Sequence, residues 1–211
     1  MRILYIDTTS SYLYSAIMDD NKIVSEVKEK LEHELSEKAL PKIVEMFNNE
    51  KLDPKSIEKI IVVNGPGSFT GIRIGVTIAK VYAWSLNIPI TTVLSLEAMT
   101  LSSNKNCYHV PVINARREKV FAAIYDEKNN EILKPQHIDI KKLEEELEKI
   151  PNYVIITNDD IDIRGEKEKY DPDIKRIIES YKNKKTINPH AVNPEYLKLT
   201  EAEENKNDSR I

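Results

Sequence analysis

Cysteine is almost missing from this chain. Cys107 is the only one among 211 residues, so no internal disulfide can form, and a reducing cytoplasm is the natural setting. A lone cysteine is ordinarily a small buried apolar residue, and no reactive role is expected of it. Histidine is nearly as scarce: His33, His109, His137 and His190 are far apart and form no H-x-x-x-H pair, which removes a helical metal site. No stretch approaches the ~20 apolar residues that span a bilayer. Met1-Arg2 leads straight into a strand pattern, so a protein neither secreted nor anchored is expected. An excess of positive charge is also lacking, with 31 Lys and Arg against 35 Asp and Glu and a net charge of −4. That balance argues against a broadly basic nucleic-acid surface and leaves room only for a local patch. A nucleophile elbow of the G-x-S-x-G kind is absent, and with it the simplest hydrolase reading.

Glycine is rare as well, yet four of the five lie in one segment, Asn64-Gly65-Pro66-Gly67-Ser68-Phe69-Thr70-Gly71-Ile72-Arg73-Ile74-Gly75. The apolar run Ile60–Val63 precedes it and a long helical pattern follows. A strand, a sharp turn and a helix start are therefore written into a few residues. Gly65 and Gly67 can take positive φ, Pro66 fixes its own, and Ser68 or Thr70 can cap the helix. The spacing G-x-G-x-x-x-G is one residue too long for the dinucleotide fingerprint, and no Gly-Lys-Ser/Thr completes a Walker loop. A structural turn and an anion-holding ligand loop both remain open at this point.

The remaining pattern is alternating strands and helices, with 40% apolar residues, enough for a core in one large domain or two small ones. Arg2–Asp7, Tyr12–Met18 and Lys22–Val27 read as an antiparallel meander. Leu35, Ala39, Leu40, Ile43, Met46 and Phe47 recur at helical spacing between Glu32 and Asn49. A buried strand at 60–63, a helix at 70–86 and a strand at 90–94 follow. Three more strands, 110–114, 120–125 and 132–138, repeat the meander. Helical spacing over 140–150, a strand at 153–156 and a helix at 172–182 complete the chain, with 158–171 reading as a polar loop. A mixed sheet covered by helices is the architecture this order predicts.

Several stretches together carry a resemblance. Gly-Pro-Gly-Ser-Phe-Thr-Gly-Ile-Arg-Ile-Gly from Gly65, Ile88-Pro89-Ile90 and Leu94-Ser95-Leu96-Glu97-Ala98 are similar to the signature of the bacterial TsaB (YeaZ) family. The likeness extends from Ile3-Leu4-Tyr5-Ile6-Asp7-Thr8-Thr9 through Ser36-Glu37, Leu40-Pro41 and Ala115-Arg116-Arg117-Glu118-Lys119-Val120-Phe121 to Pro194-Glu195-Tyr196-Leu197-Lys198. It is strong over the first 125 or so residues and weak afterwards.

The resemblance implies an α/β, actin-like ATPase (RNase H-like) fold of two lobes. We expect an N-terminal lobe over 1–103, a smaller, shortened second lobe over 104–199 and a disordered tail over 200–211. It further implies a non-catalytic partner of TsaD, the enzyme that places a threonylcarbamoyl group on tRNA adenosine, with the ATPase TsaE and tRNA meeting the pair. TsaD carries a histidine pair for its metal, and this chain has none. No cofactor is expected of the chain alone, although ATP or ADP at the TsaD boundary is compatible with the fold. The alternative is a small-molecule kinase or ATPase of the same fold.

Three sets of residues are candidates for contact. In actin-like ATPases the first strand ends in an Asp followed by a glycine-containing phosphate loop. Here Asp7, Thr8 and Thr9 occupy that place without the glycine, so an Asp capping a hairpin is favoured over one ordering a nucleotide. Gly71, Gly75, Ala79 and Ala83 leave one stripe of the second helix bare, open either to its own sheet or to another chain's helix. The resemblance, which implies pairing through the first two helices, makes Leu40, Ile43, Phe47, Gly71, Gly75, Ile78, Ala79 and Trp84 the partner-binding set. Self-pairing through the same surface is expected of the isolated chain. Arg116, Arg117 and Lys119 form a basic turn, which is either simply solvated or touches a partner's carboxylates or tRNA phosphate.

Overall fold

A computed structural model describes residues 1–197. The expected tail, 200–211, lies outside the described residues. Strands β1 (Arg2–Asp7), β2 (Tyr12–Asp19) and β3 (Lys22–Lys30) form the antiparallel meander. Helix α1 (Leu35–Asn49) follows a short 3₁₀ turn at Glu32–Glu34. β4 (Lys59–Val63) then pairs with β1 in parallel, Leu4 beside Ile60 and Ile6 beside Val62. Helix α2 (Phe69–Leu86) carries the chain over to β5 (Ile90–Val93), parallel to β4. The sheet order is β3-β2-β1-β4-β5.

Helix α3 (Ser95–Ser102) leads to a second sheet built on the same plan. β6 (Tyr108–Asn114), β7 (Lys119–Tyr125) and β8 (Glu131–Asp139) repeat the meander. After helix α4 (Ile140–Leu147), β9 (Tyr153–Ile156) pairs in parallel with β6 and β10 (Glu166–Glu168) with β9, giving the order β10-β9-β6-β7-β8. Where the first sheet crosses between its last two strands through α2, the second uses only the coil 157–165. The polar stretch read as a loop thus contains β10, whose sequence Glu-Lys-Glu carries no strand signal of its own.

Both faces of the first sheet are covered, which is why β4 reads as the unbroken apolar run Ile60–Val63. On one face Leu4, Ile6, Ile60 and Val62 pack against Ile43, Met46 and Phe47 of α1 and Ile72, Val76, Ala79 and Ala83 of α2. On the other, Ile3, Tyr5, Ile61 and Val63 meet Ala98 of α3 and Ile174, Ile177 and Ile178 of α5 (Ile174–Tyr181). Helix α3 is shared, since its Leu96 and Met99 pack with Ala123, Tyr125, Val154 and Ile156 of the second sheet. Cys107 lies buried in that same cluster, and burial pushes its thiol pKa up, as befits a packing residue.

The last helix therefore belongs to the first sheet, which differs from the sequence-based division at residue 103. Two contacts fix it there. Lys59, almost fully buried, donates to the carbonyls of Tyr181, Lys182 and Lys184 at 3.3, 2.8 and 3.2 Å, satisfying backbone acceptors at the end of α5. Lys28 donates to Pro172 O at 2.7 Å at its beginning.

Candidate functional site

The glycine-rich segment and the β1–β2 turn are built against each other. Gly65 and Gly67 take φ of +118° and +155°, with a cis bond between Gly65 and Pro66. A Cβ on Gly67 would overlap Thr9 O, one on Gly71 would overlap Thr8 O, and one on Gly75 would overlap Thr8 Oγ1. Ser68 N donates to Thr9 O at 2.7 Å, and Thr8 Oγ1 donates to Gly71 O at 2.7 Å. Ser68, of the two candidate caps, accepts from Gly71 N at 3.2 Å. The fourth glycine, Gly65, lies against Glu195 O. Gly65, Gly67 and Gly71 therefore admit the chain's own backbone and Gly75 the Thr8 hydroxyl, as a structural turn requires.

Glu195 belongs to a strap, residues 187–197, that crosses α2. Ile187 N donates to Ile90 O at 2.8 Å and Glu195 N to Asn64 O at 2.7 Å. Lys80 Nζ donates to Val192 O at 2.7 Å, and Val192 is buried in the core under α2. At the end of the strap Tyr196 stacks on Phe69 at 5.3 Å, while Arg73 lies 3.7 Å over the Phe69 ring and donates to Tyr196 Oη at 2.9 Å.

Asp7 is 2% exposed, and its Oδ1 accepts from Thr9 N at 2.8 Å and Thr9 Oγ1 at 2.7 Å. Burial raises its carboxyl above the usual range, against the opposing pull of those two hydrogen bonds. The phenols of Tyr5 and Tyr170 are pushed upward by burial first and by the Asp7 charge second. Asp7 and Thr8 are thus spent on the turn itself. Only Thr9 of the three nucleotide candidates lines the open space between the lobes.

That space is a cleft of about 1260 Å³. The first lobe contributes Thr9–Tyr12, Lys30, His33 and Gly67–Gly71, and the second contributes Val112–Arg116, Asp159, Lys169 and Tyr170. Serine and threonine hydroxyls dominate the first wall. Lys30 is already paired with Glu32 at 2.6 Å. Ser11, Lys169 and Tyr170 were not singled out by sequence, because nothing short of the folded cleft brings their segments together. The histidines are scattered: His33 lines the cleft, His109 Nε2 lies 2.9 Å from Lys105 O, His137 lies against Phe121, and His190 lies edge-on to Trp84.

The expected partner set divides. Ile43 and Phe47 of α1 are buried against the first sheet, and Gly71, Gly75 and Ala79 are buried because the bare stripe of α2 faces β1 and the Thr8 turn. Their assignment as surface contacts is corrected here. Leu40 and Trp84 do face outward, 52% and 63% exposed, and Ile78 is half-buried beside α1. Val44, which sequence reading missed, and Val81 are 48% and 57% exposed, one turn from Leu40 and one residue from Tyr82 on the same two helices. Among the described residues no helix is long and apolar enough to cross a membrane.

Known proteins bear on this arrangement. The family model described as TsaD, tRNA N6-adenosine threonylcarbamoyltransferase, matches residues 22–169. A Bacillus subtilis protein named tRNA threonylcarbamoyladenosine biosynthesis protein TsaB is 32% identical, over 96% of both chains. One of the same name from Escherichia coli is 30% identical over 63% of this chain and 58% of its own. The solved structure titled YeaZ from Pseudomonas aeruginosa superposes with a TM-score of 0.73, covering 93% of this chain and 99% of that one at 14% identity. At that identity the match speaks for the fold alone: two lobes of the actin-like ATPase (RNase H-like) class.

Proposed function

The chain belongs to the TsaB (YeaZ) family, and from that premise we propose that it is the catalytically silent partner and activator of TsaD in making N6-threonylcarbamoyladenosine in tRNA. The observation that carries this reading is the outward band of α1 and α2. Leu40, Val44, Val81 and Trp84 place four large apolar side chains about half-exposed or more on two helices already packed together, an arrangement that suits helix-to-helix docking on a similar surface. The partner is TsaD, to whose family model the chain is itself similar. Scaffolding is the mechanism: covering helices of TsaD holds the enzyme in its active arrangement, and the joint surface receives TsaE and tRNA. When alone, the chain pairs with itself through the same band.

Catalytic silence is supported by the β1–β2 turn. Its backbone carbonyls at Thr8 and Thr9 are turned against Gly71 and Gly67, and its one carboxylate is folded onto Thr9. A group that would position a phosphate or a metal is therefore engaged elsewhere. The alternative, a small-molecule kinase or ATPase, is favoured by the size of the cleft and its hydroxyl-rich wall. In the partner reading the chain holds no cofactor by itself, and ATP or ADP binds only at the boundary with TsaD.

Copurification with TsaD followed by a threonylcarbamoyl-transfer assay separates the two. The expected result is a one-to-one complex whose transfer rate exceeds that of TsaD alone. ATP turnover by the isolated chain, abolished by Asp7→Ala, would replace this reading with the alternative.

A further inference from the structure

Among the described residues six arginines are present, and four are engaged. Arg2 pairs with Asp19, Arg73 lies on Phe69 and Tyr196, Arg164 pairs with Glu144 and Glu148, and Arg176 donates to Ser103 O and Asn104. The two that remain, Arg116 and Arg117, are adjacent on the β6–β7 turn, exposed, and without an ion pair or side-chain hydrogen bond. In a chain with more acids than bases, two neighbouring unpaired guanidiniums are a departure that needs a reason.

The turn that carries them is held rigidly. Arg116, Arg117 and Glu118 have φ of +65°, +53° and +57°, a left-handed run that side chains with a Cβ seldom adopt. It is clamped from three directions. Asn114 Oδ1 accepts from Arg116 N at 2.7 Å, Ala115 N donates to Lys119 O at 2.9 Å, and Glu118 O accepts from Ile140 N at 2.9 Å. Asn114 N donates in turn to Asp159 Oδ2 at 2.7 Å, tying the turn to the segment after β9. An awkward backbone is thus fixed by its neighbours while the two guanidiniums it presents form no ion pair or side-chain hydrogen bond among the described residues.

Arg116 lines the interlobe cleft, as does Lys169, which likewise has no ion pair among the described residues. We propose that the β6–β7 turn, together with Lys169 of the same cleft, is a phosphate-binding lip for the backbone of the RNA on which the complex acts. RNA fits better than a protein's carboxylates because none of the exposed large apolar side chains lies on this turn, so a protein docking here would have no apolar centre. Guanidinium forks bind phosphate oxygens two at a time and fix register without reading sequence. The inference rests on the reading of the chain as TsaD's partner, which supplies the RNA.

The test uses the complex with TsaD and an unmodified tRNA transcript, with affinity measured over a series of salt concentrations. The double variant R116Q/R117Q should bind the transcript about tenfold more weakly at low salt. The slope of log affinity against log salt should fall by about 1.4–1.8, since each lost phosphate contact removes roughly 0.7–0.9. R164Q, which removes a paired arginine of the same lobe, should leave both unchanged. Unaltered affinity and slope in the double variant overturn the proposal. So does loss of TsaD from the copurified complex with normal RNA binding, which would assign the turn to a protein's carboxylates. Lys169→Gln, off the strained turn, should lower the slope by about half as much, and it decides the matter if the double variant misfolds. Should the wild-type chain fail to pair with TsaD, the partner reading falls separately. The same titration on the isolated chain then carries the same two outcomes.

Discussion

Thr8 and Gly71 hold each other across 63 residues of sequence: Thr8 Oγ1 donates to Gly71 O at 2.7 Å, and the Thr8 carbonyl fills the space where a Gly71 side chain would be. Helical φ at Gly71 would tolerate alanine, so the constraint is room rather than conformation. Gly71→Ala should lower stability by about 1–3 kcal/mol, the usual cost of forcing extra atoms into a packed site. Gly75→Leu, aimed at Thr8 Oγ1 and Ile6, should cost more. Urea denaturation of the isolated chain checks this, and an unchanged midpoint would mean the two loops can part freely.

The outward band gives the opposite pattern. Leu40→Asp and Trp84→Asp should leave the unfolding midpoint within about 0.5 kcal/mol, as exposed substitutions usually do. Association with TsaD should weaken by about 2 kcal/mol or more if these side chains anchor the contact. Light scattering should find a dimer of the isolated chain that yields to a one-to-one complex on adding TsaD, with both variants monomeric when alone. A self-associated form that persists inside a larger complex would place the two contacts on different surfaces.

Asp7 sets a pH dependence whose sign follows from burial. Its carboxyl is raised above the ordinary 3.8, so between that value and the raised one the folded chain binds more protons than the unfolded. Stability contributed by Asp7 is therefore full below the ordinary value and declines as pH rises through the raised one. Asp7→Asn keeps an oxygen for Thr9 N and Oγ1 while removing the buried charge. We expect a variant at least as stable at pH 7 and a flatter profile above pH ~4. Denaturation midpoints from pH 4 to 8 test it; a less stable variant with the wild-type slope would mean the charge itself is needed.

Lys59→Met should strand the three carbonyls that the ammonium satisfies beyond α5, at a cost of about 1–3 kcal/mol for the lost partners. Hydrogen exchange should rise first in α5 and the residues after it. Exchange that rises evenly across both sheets would argue against a local clamp.

How far the sequence could be read depended on whether a segment carried its own periodicity. β1 and β2 are mostly apolar runs bounded by polar turns, β3 alternates toward its end, α1 repeats its apolar positions every three or four residues, and each was legible without tertiary context. Helix α3 was not, because Ser95, Leu96, Ala98, Met99 and Thr100 are all buried between two sheets, which erases the amphipathic stripe. β10 is three polar residues that become a strand only because β9 offers an edge. The α2 stripe was seen but its direction was not: small residues announce a close neighbour, and only the fold says that the neighbour is Thr8. Among site residues, Trp84 and Leu40 were legible as large apolar side chains. Val44 was hidden by having no exceptional size or spacing.

The first sheet does not own its last helix in sequence order, and this bears on how the protein is made. Ile3 and Tyr5 emerge from the ribosome well before the α5 side chains that cover them, Ile174, Ile177 and Ile178. The whole second sheet is translated in between. At ordinary synthesis rates of about 5–20 residues per second, one face of the opening meander stays uncovered for roughly ten to thirty seconds. During that interval the nascent chain carries an apolar sheet face that Ala98 of α3 covers only in part, so a chain stopped before α5 should be a substrate for chaperones and proteases rather than a smaller working lobe.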